Sequence, residues 1–180
     1  EVRRVSYLAD FGNAPAETGL QSITVSYGGV SCQTFVMLLK PGDIDSDEFD
    51  VSDNTISGIS CGTTLSSFSS GIYTDSKYKL FNGSIEVTDM SAKVGTGMVL
   101  RVYDDDDELI SERTLAVKGD ADGDGAVTTT DARLTLRKAA KLDSFTDEQT
   151  VATDLDGVEG ISTTDARILL RVAANLETLD

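Results

Sequence analysis

The chain has 180 residues, 31 of them acidic and 15 basic, with a formal net charge of −16 and no histidine. That length holds one ordinary domain or two small ones. The negative balance excludes a nucleic-acid binder, because phosphates would be repelled, and the lack of histidine excludes Ser/His/Asp or Cys/His catalysis and His-ligated zinc.

Tryptophan is absent, and only 5 Tyr and 6 Phe remain, which disfavours a stacking platform for sugars. No run of 18 apolar residues exists, so no membrane partner is expected. No signal peptide opens the chain, and Glu1-Val2-Arg3-Arg4 reads as a cut into a mature protein.

Strand patterns come first along the chain. Gln21 to Tyr27 alternates apolar and polar residues, Gly28-Gly29 follows, and a second run extends to Leu39. Two such runs joined by Gly-Gly predict a hairpin, since its turn needs positive φ. Lys40-Pro41-Gly42-Asp43 then breaks the pattern. Thr63 or Thr64 caps a short helix through Phe68. Glu86-Val87, Met98–Tyr103 and Leu109–Val117 are further strand candidates. Asp104-Asp105-Asp106-Asp107-Glu108 between the last two reads as a solvated hairpin turn. Asp43-Ile44-Asp45-Ser46-Asp47-Glu48 imitates the opening of a calcium loop but lacks its glycine. Cys32 and Cys61 form no CxxC pair, and a disulfide and two packed thiols both stay open. Residues 1–118 thus read as a β-rich, sandwich-like module.

After Lys118 the spacing becomes helical and the chain repeats itself. Asp131–Leu142 matches Asp165–Leu176 at eight of twelve positions with an offset of 34, and Thr129-Thr130 matches Thr163-Thr164. Each repeat opens with alternating carboxylates. In the first, Asp120, Asp122 and Asp124 stand at loop positions 1, 3 and 5, Gly125 at 6, Ala126 at 7, Thr128 at 9 and Asp131 at 12. This is the spacing of an EF-hand calcium loop, in which alternate side chains of a tight turn converge hard oxygens on one ion. In the second, Asp154, Asp156, Ser162 and Asp165 keep positions 1, 3, 9 and 12. Val158 and Glu159 replace the Asp and Gly at 5 and 6, and Gly160 comes one place late. Two Ca²⁺ sites are expected, the second atypical and weaker, with a loop held only by hydrogen bonds as its rival reading. The helices carry stripes at Ala132, Leu136, Ala139 and Ala140, and at Ala166, Leu170, Ala173 and Ala174. A third short helix, capped by Thr146, lies between them.

On these features, residues 119–180 resemble a dockerin, the calcium-dependent module that plugs an enzyme or scaffold subunit into a cohesin. The carriers are the two Asp-rich loops, the loop-helix units without an entering helix, the spacer helix and the duplicated Asp-Ala-Arg-x-x-Leu-Arg segments. The resemblance implies a multi-domain chain in which the β-rich, sandwich-like module of residues 1–118 precedes a small all-α dockerin of two EF-hand-like loop-helix repeats. It implies cohesin contacts at Thr129, Thr130, Leu136, Arg137 and Lys141, matched by Thr163, Thr164, Leu170, Arg171 and Asn175 in the other half. Near-identity of the halves implies two binding orientations, while the extra apolar residues Ile168, Leu169 and Val172 argue for one. More weakly, Gly58–Thr64, Val94–Met98 and Lys118–Asp120 are similar to the X modules or Ig-like spacers that precede dockerins.

The expected protein is therefore not an enzyme. It is an assembly module, secreted or held at a bacterial cell surface, that tethers a polysaccharide-degrading enzyme or scaffold subunit to a cellulosome-like complex through the cohesin of a scaffold or cell-surface protein. The alternative is a carbohydrate-binding β module with a calcium-stabilised helical appendage, in which the β module makes a weak polysaccharide contact.

Overall fold

Side-chain alternation builds the strands, but contacts distant in sequence arrange them. The computed structural model describes residues 19–27 and 30–179, which fall into two units divided between Lys40 and Pro41. The first holds β1 (Gly19–Tyr27) and β2 (Val30–Leu38), antiparallel with Tyr27 opposite Val30. This is the expected hairpin. Gly28 and Gly29, where the turn is expected, the Cys32 side chain and Glu1–Arg4 lie outside the described residues.

The second unit runs through β3 (Asp50–Val51), β4 (Thr55–Ile59), α1 (Leu65–Gly71), β5 (Lys77–Asn82), β6 (Ile85–Glu86), β7 (Val99–Tyr103) and β8 (Leu109–Val117). It continues through α2 (Thr129–Ala139), α3 (Asp147–Thr153) and α4 (Thr163–Ala173). Its six strands form one sheet in the order β3-β4-β8-β7-β5-β6. β4 and β8 pair in parallel, with Ile56 opposite Leu115 and Ile59 opposite Val117, and the other pairs are antiparallel.

In β7, Leu100 and Val102 are fully buried, while Val99, Arg101 and Tyr103 alternate with them towards the other face. Leu65 and Phe68 of α1 join these residues, Ile56, Ile59, Leu115 and Val117 in one core, where Phe68 stacks on Phe49 at 5.3 Å. The opposite face is wet. Lys79 pairs with Glu86, Arg101 pairs with Glu112, and the Arg101 guanidinium lies 4.6 Å from the Phe81 ring centre.

The expected fold class, a sandwich-like module ahead of a separate all-α unit, is corrected. The sheet is single and mixed, and the helices belong with it in an α/β unit. Backbone hydrogen bonds cross from strand to repeat without a break. Lys118 N–H donates to Ile59 at 2.8 Å, and Gly119 N–H donates to Ala152 of α3 at 2.7 Å. Both pairings span sequence distances that periodicity does not register.

The helix stripes are corrected as well. The buried residues of α2 are Asp131, Ala132 and Thr135, and those of α4 are Asp165, Ala166 and Leu169. Leu136 and Leu170 stay 49% and 53% exposed. Thr64 caps α1 and Thr146 caps α3, as expected. The acidic run Asp104–Glu108 is the expected turn between β7 and β8. There Asp104 Oδ1 accepts from the N–H groups of Asp106 and Glu108.

Candidate functional site

The duplicated sequence folds into duplicated hydrogen bonding. Asp131 Oδ1 accepts from the N–H groups of Ala121 (2.8 Å) and Asp122 (3.2 Å), and its Oδ2 accepts from the N–H (2.7 Å) and hydroxyl (2.9 Å) of Thr128. Asp165 does the same with Leu155 (2.8 Å), Asp156 (3.0 Å) and the N–H and hydroxyl of Ser162 (2.8 Å each). Thr128 and Ser162 are the N-caps of α2 and α4, and each completes a capping box with the aspartate three residues on. One carboxylate per repeat therefore closes the loop and starts the helix.

Two acidic triads result. Carboxylate oxygens of Asp120, Asp122 and Asp124 lie within 4.8 Å of one another, as do those of Asp154, Asp156 and Asp165. Each triad has one fully buried member, Asp120 and Asp165. Either could hold a metal ion, and the donors are the hard oxygens that such a cation requires. Asp131 stands outside the first triad, its oxygens turned to loop backbone, whereas Asp165 belongs to the second. Ser162 Oγ also lies 3.1 Å from Asp156 Oδ2. Ala126 N–H donates to Asp124 Oδ1, and Gly160 N–H donates to Asp154 Oδ2.

Electrostatics separate the loops. Burial pushes the Asp120 carboxyl above its ordinary value, against hydrogen bonds from Thr96, Gly123 and Gly125. Asp122 is also raised, by burial and by the charge of Asp131. Burial acts on Asp165 too, but hydrogen bonds from Leu155, Ser162 and Asp156 outweigh it and hold that carboxyl low.

The first loop is also gripped from outside the repeat. Thr96 N–H donates to Asp120 Oδ2 at 2.8 Å, and Gly62 N–H donates to the Gly125 carbonyl at 3.0 Å. The Cys61 thiol lies 3.5 Å from the same carbonyl. Cys61 carries a free thiol, and burial raises its pKa. Gln149 of α3 donates to the Ala121 carbonyl at 2.8 Å. Sequence spacing gave no sign of Thr96 or Gln149 as loop partners, because both contacts are tertiary.

The helices form a second feature. Thr129, Ala132, Arg133 and Leu136 of α2 face Thr163, Ala166, Arg167 and Leu170 of α4 across a mostly apolar groove of about 370 Å³. The lining uses the same four repeat positions from each half. Of the expected partner contacts, Thr129, Leu136, Thr163 and Leu170 line this groove. Thr130 and Thr164 donate their N–H groups to the cap hydroxyls of Thr128 and Ser162. Arg137 and Arg171 lie in exposed pairs with Asp143 (2.6 Å) and Glu177 (2.7 Å). Lys141 and Asn175 take the left-handed conformation beyond their helices, at φ 58 and 56. Asn175 also lines a separate hollow with Ser60, Cys61, Lys118 and Val172. The four further lining residues, Ala132, Arg133, Ala166 and Arg167, are not among the expected contacts.

The chain matches no protein-family model, no curated protein and no solved structure. No helix among the described residues is long and apolar enough to cross a membrane.

Proposed function

We propose that the repeat of residues 119–180 is a calcium-dependent, dockerin-like plug that binds a cohesin. In this reading the protein is a non-catalytic part of a secreted or cell-surface bacterial assembly that tethers a polysaccharide-degrading enzyme or scaffold subunit. The groove between α2 and α4 carries the reading: two leucines, about half exposed, stand at matched repeat positions over small alanines, flanked by Arg133 and Arg167. Exposed apolar residues gathered in a groove with a charged rim mark a protein-docking surface.

Calcium is the ion that the loops suit best. Their donors are carboxylate, hydroxyl and carbonyl oxygens, and loop one has glycines at its tight turns, Gly123 (φ 84) and Gly125 (φ 73). Bound at these loops, the ion neutralises carboxylates at the N-termini of α2 and α4 and so fixes the spacing of the helices that line the groove. Calorimetry of the full chain against a panel of cohesins, with calcium and with chelator, tests the reading. Heat of binding to at least one cohesin, abolished by chelator, is expected. Silence across the panel, or binding indifferent to chelator, would overturn it. Arg137→Ala and Arg171→Ala, made separately, read the orientation: if one change alone abolishes binding, a single orientation operates.

A further inference from the structure

The two loops share the bonding of their closing aspartates but differ at the opening carboxylate and in what surrounds them. Asp120 accepts four backbone N–H groups: Gly123 (2.7 Å) and Asp124 (3.1 Å) at Oδ1, Gly125 (3.0 Å) and Thr96 (2.8 Å) at Oδ2. The first three come from the loop and the fourth from the segment Lys93–Gly97, which leads into β7. Thr96 is itself fixed, since its hydroxyl accepts at 3.0 Å from the N–H of Val117, the buried last residue of β8.

The backbones meet so closely that side chains would not fit. A Cβ on Gly95 would lie 2.1 Å from the Gly123 carbonyl oxygen, one on Gly123 would lie 2.7 Å from the Thr96 oxygen, and one on Gly125 would lie 2.5 Å from the Val94 oxygen. Among the described residues, no such approach is made to the glycines of loop two. Nothing lies within 4 Å of a Cβ on Gly157 or Gly160.

The geometry points to Gly95-Thr96 as a positioning element of the first metal loop: the sheet unit holds Asp120, the position-1 ligand, in its binding orientation, and only the second loop is free to order on its own. This inference rests on the calcium reading above. Under it the first site is composite, and its ion affinity is coupled to the sheet, because a ligand held in place before binding loses less entropy on binding. The free-energy coupling is reciprocal, so calcium at loop one tightens the Lys93–Gly97 segment in turn.

The test uses the full chain and calcium alone. Asp156→Ala silences loop two, and Asp122→Ala silences loop one. Adding Gly95→Ala to the first background is expected to weaken calcium binding at least tenfold by calorimetry, and adding it to the second is expected to change binding less than twofold. Equal losses in both backgrounds, or no loss in either, would overturn the inference. Because Gly95→Ala can disturb the fold, the unsubstituted chain supplies a second readout. Calcium is expected to slow amide exchange at Thr96 and Gly62 at least tenfold together with loop one. If the loop-one amides slow while Thr96 is unmoved, the inference fails and the calcium reading survives. If the unsubstituted chain takes up no calcium at either loop, the calcium reading fails and takes this inference with it.

Discussion

The amide of Thr96 donates to the carboxylate of Asp120 at 2.8 Å, joining residues 24 apart in sequence. Through this bond, a segment ahead of β7 reaches the opening residue of the first acidic loop. A helical repeat that looks self-contained in sequence is thereby anchored in a sheet.

Metal removal gives the most direct prediction. Without an ion, each triad crowds three carboxylates within 4.8 Å. An ion bound only by the folded state, at a hundred times its Kd, adds about 2.7 kcal/mol of stability. Chelator is expected to lower the melting temperature of the full chain and to reduce its helical circular dichroism. Identical melting curves with calcium and with chelator would contradict this.

Thr135 offers a stability test within the repeat. Its hydroxyl is fully buried and without a hydrogen-bond partner, and the matched position in α4 is the fully buried Leu169. Burying a hydroxyl without a partner costs on the order of 1–3 kcal/mol. Thr135→Val keeps the shape and removes the orphaned group, so it is expected to stabilise the chain by about 1 kcal/mol, read by urea unfolding. A destabilised variant would show that the hydroxyl has a partner in solution.

The groove leucines should dominate docking. Leu136→Ala and Leu170→Ala each remove apolar surface that a cohesin would cover, and each is expected to weaken cohesin binding about tenfold, or roughly 1.4 kcal/mol. Both leucines are half-exposed in the free chain, so the single variants should keep the parent melting temperature to within a few degrees. Cohesin binding unchanged in the double variant would move the docking face elsewhere.

The acid limb should distinguish the loops. Asp120 is raised by burial, so the folded metal-free chain holds its proton where the unfolded chain has lost it. Across that window, between the ordinary carboxylate value and the raised one, metal-free stability falls as pH rises. Asp165 has the opposite sign. Its lowered pKa contributes stability that is present above the ordinary value and is lost as pH falls through the folded one. Calcium needs both carboxylates ionised. Lowering the pH from neutral should therefore weaken calcium binding at loop one before loop two, as read by calorimetry in Asp156→Ala and Asp122→Ala. Loss of both sites at the same pH would refute the assignment.

Local order was legible in the residues. Alternation marked β1, strand-like runs marked β2, β7 and β8, and Thr63 or Thr64 and Thr146 marked the starts of α1 and α3. Aspartates at alternate loop positions marked the first triad, and those at positions 1, 3 and 12 marked the second, because a tight loop brings such side chains together. Each of these signals acts over a few residues, within the reach of backbone propensity and capping chemistry.

The architecture was decided by contacts that have no period. Residues 55–59 pair in parallel with 114–117, so β4 and β8 are neighbours in the sheet although α1, β5, β6 and β7 lie between them in the chain. The helix stripe pointed to Leu136 as core, but the fold buries Thr135 instead and leaves Leu136 half-exposed at the groove. Residue identities set which side chains could gather oxygens or cap a helix. Which backbone segments came close enough to share hydrogen bonds, and so joined the repeat to the sheet, was set by glycine-lined approaches such as Gly95 against Gly123, which exist only in three dimensions.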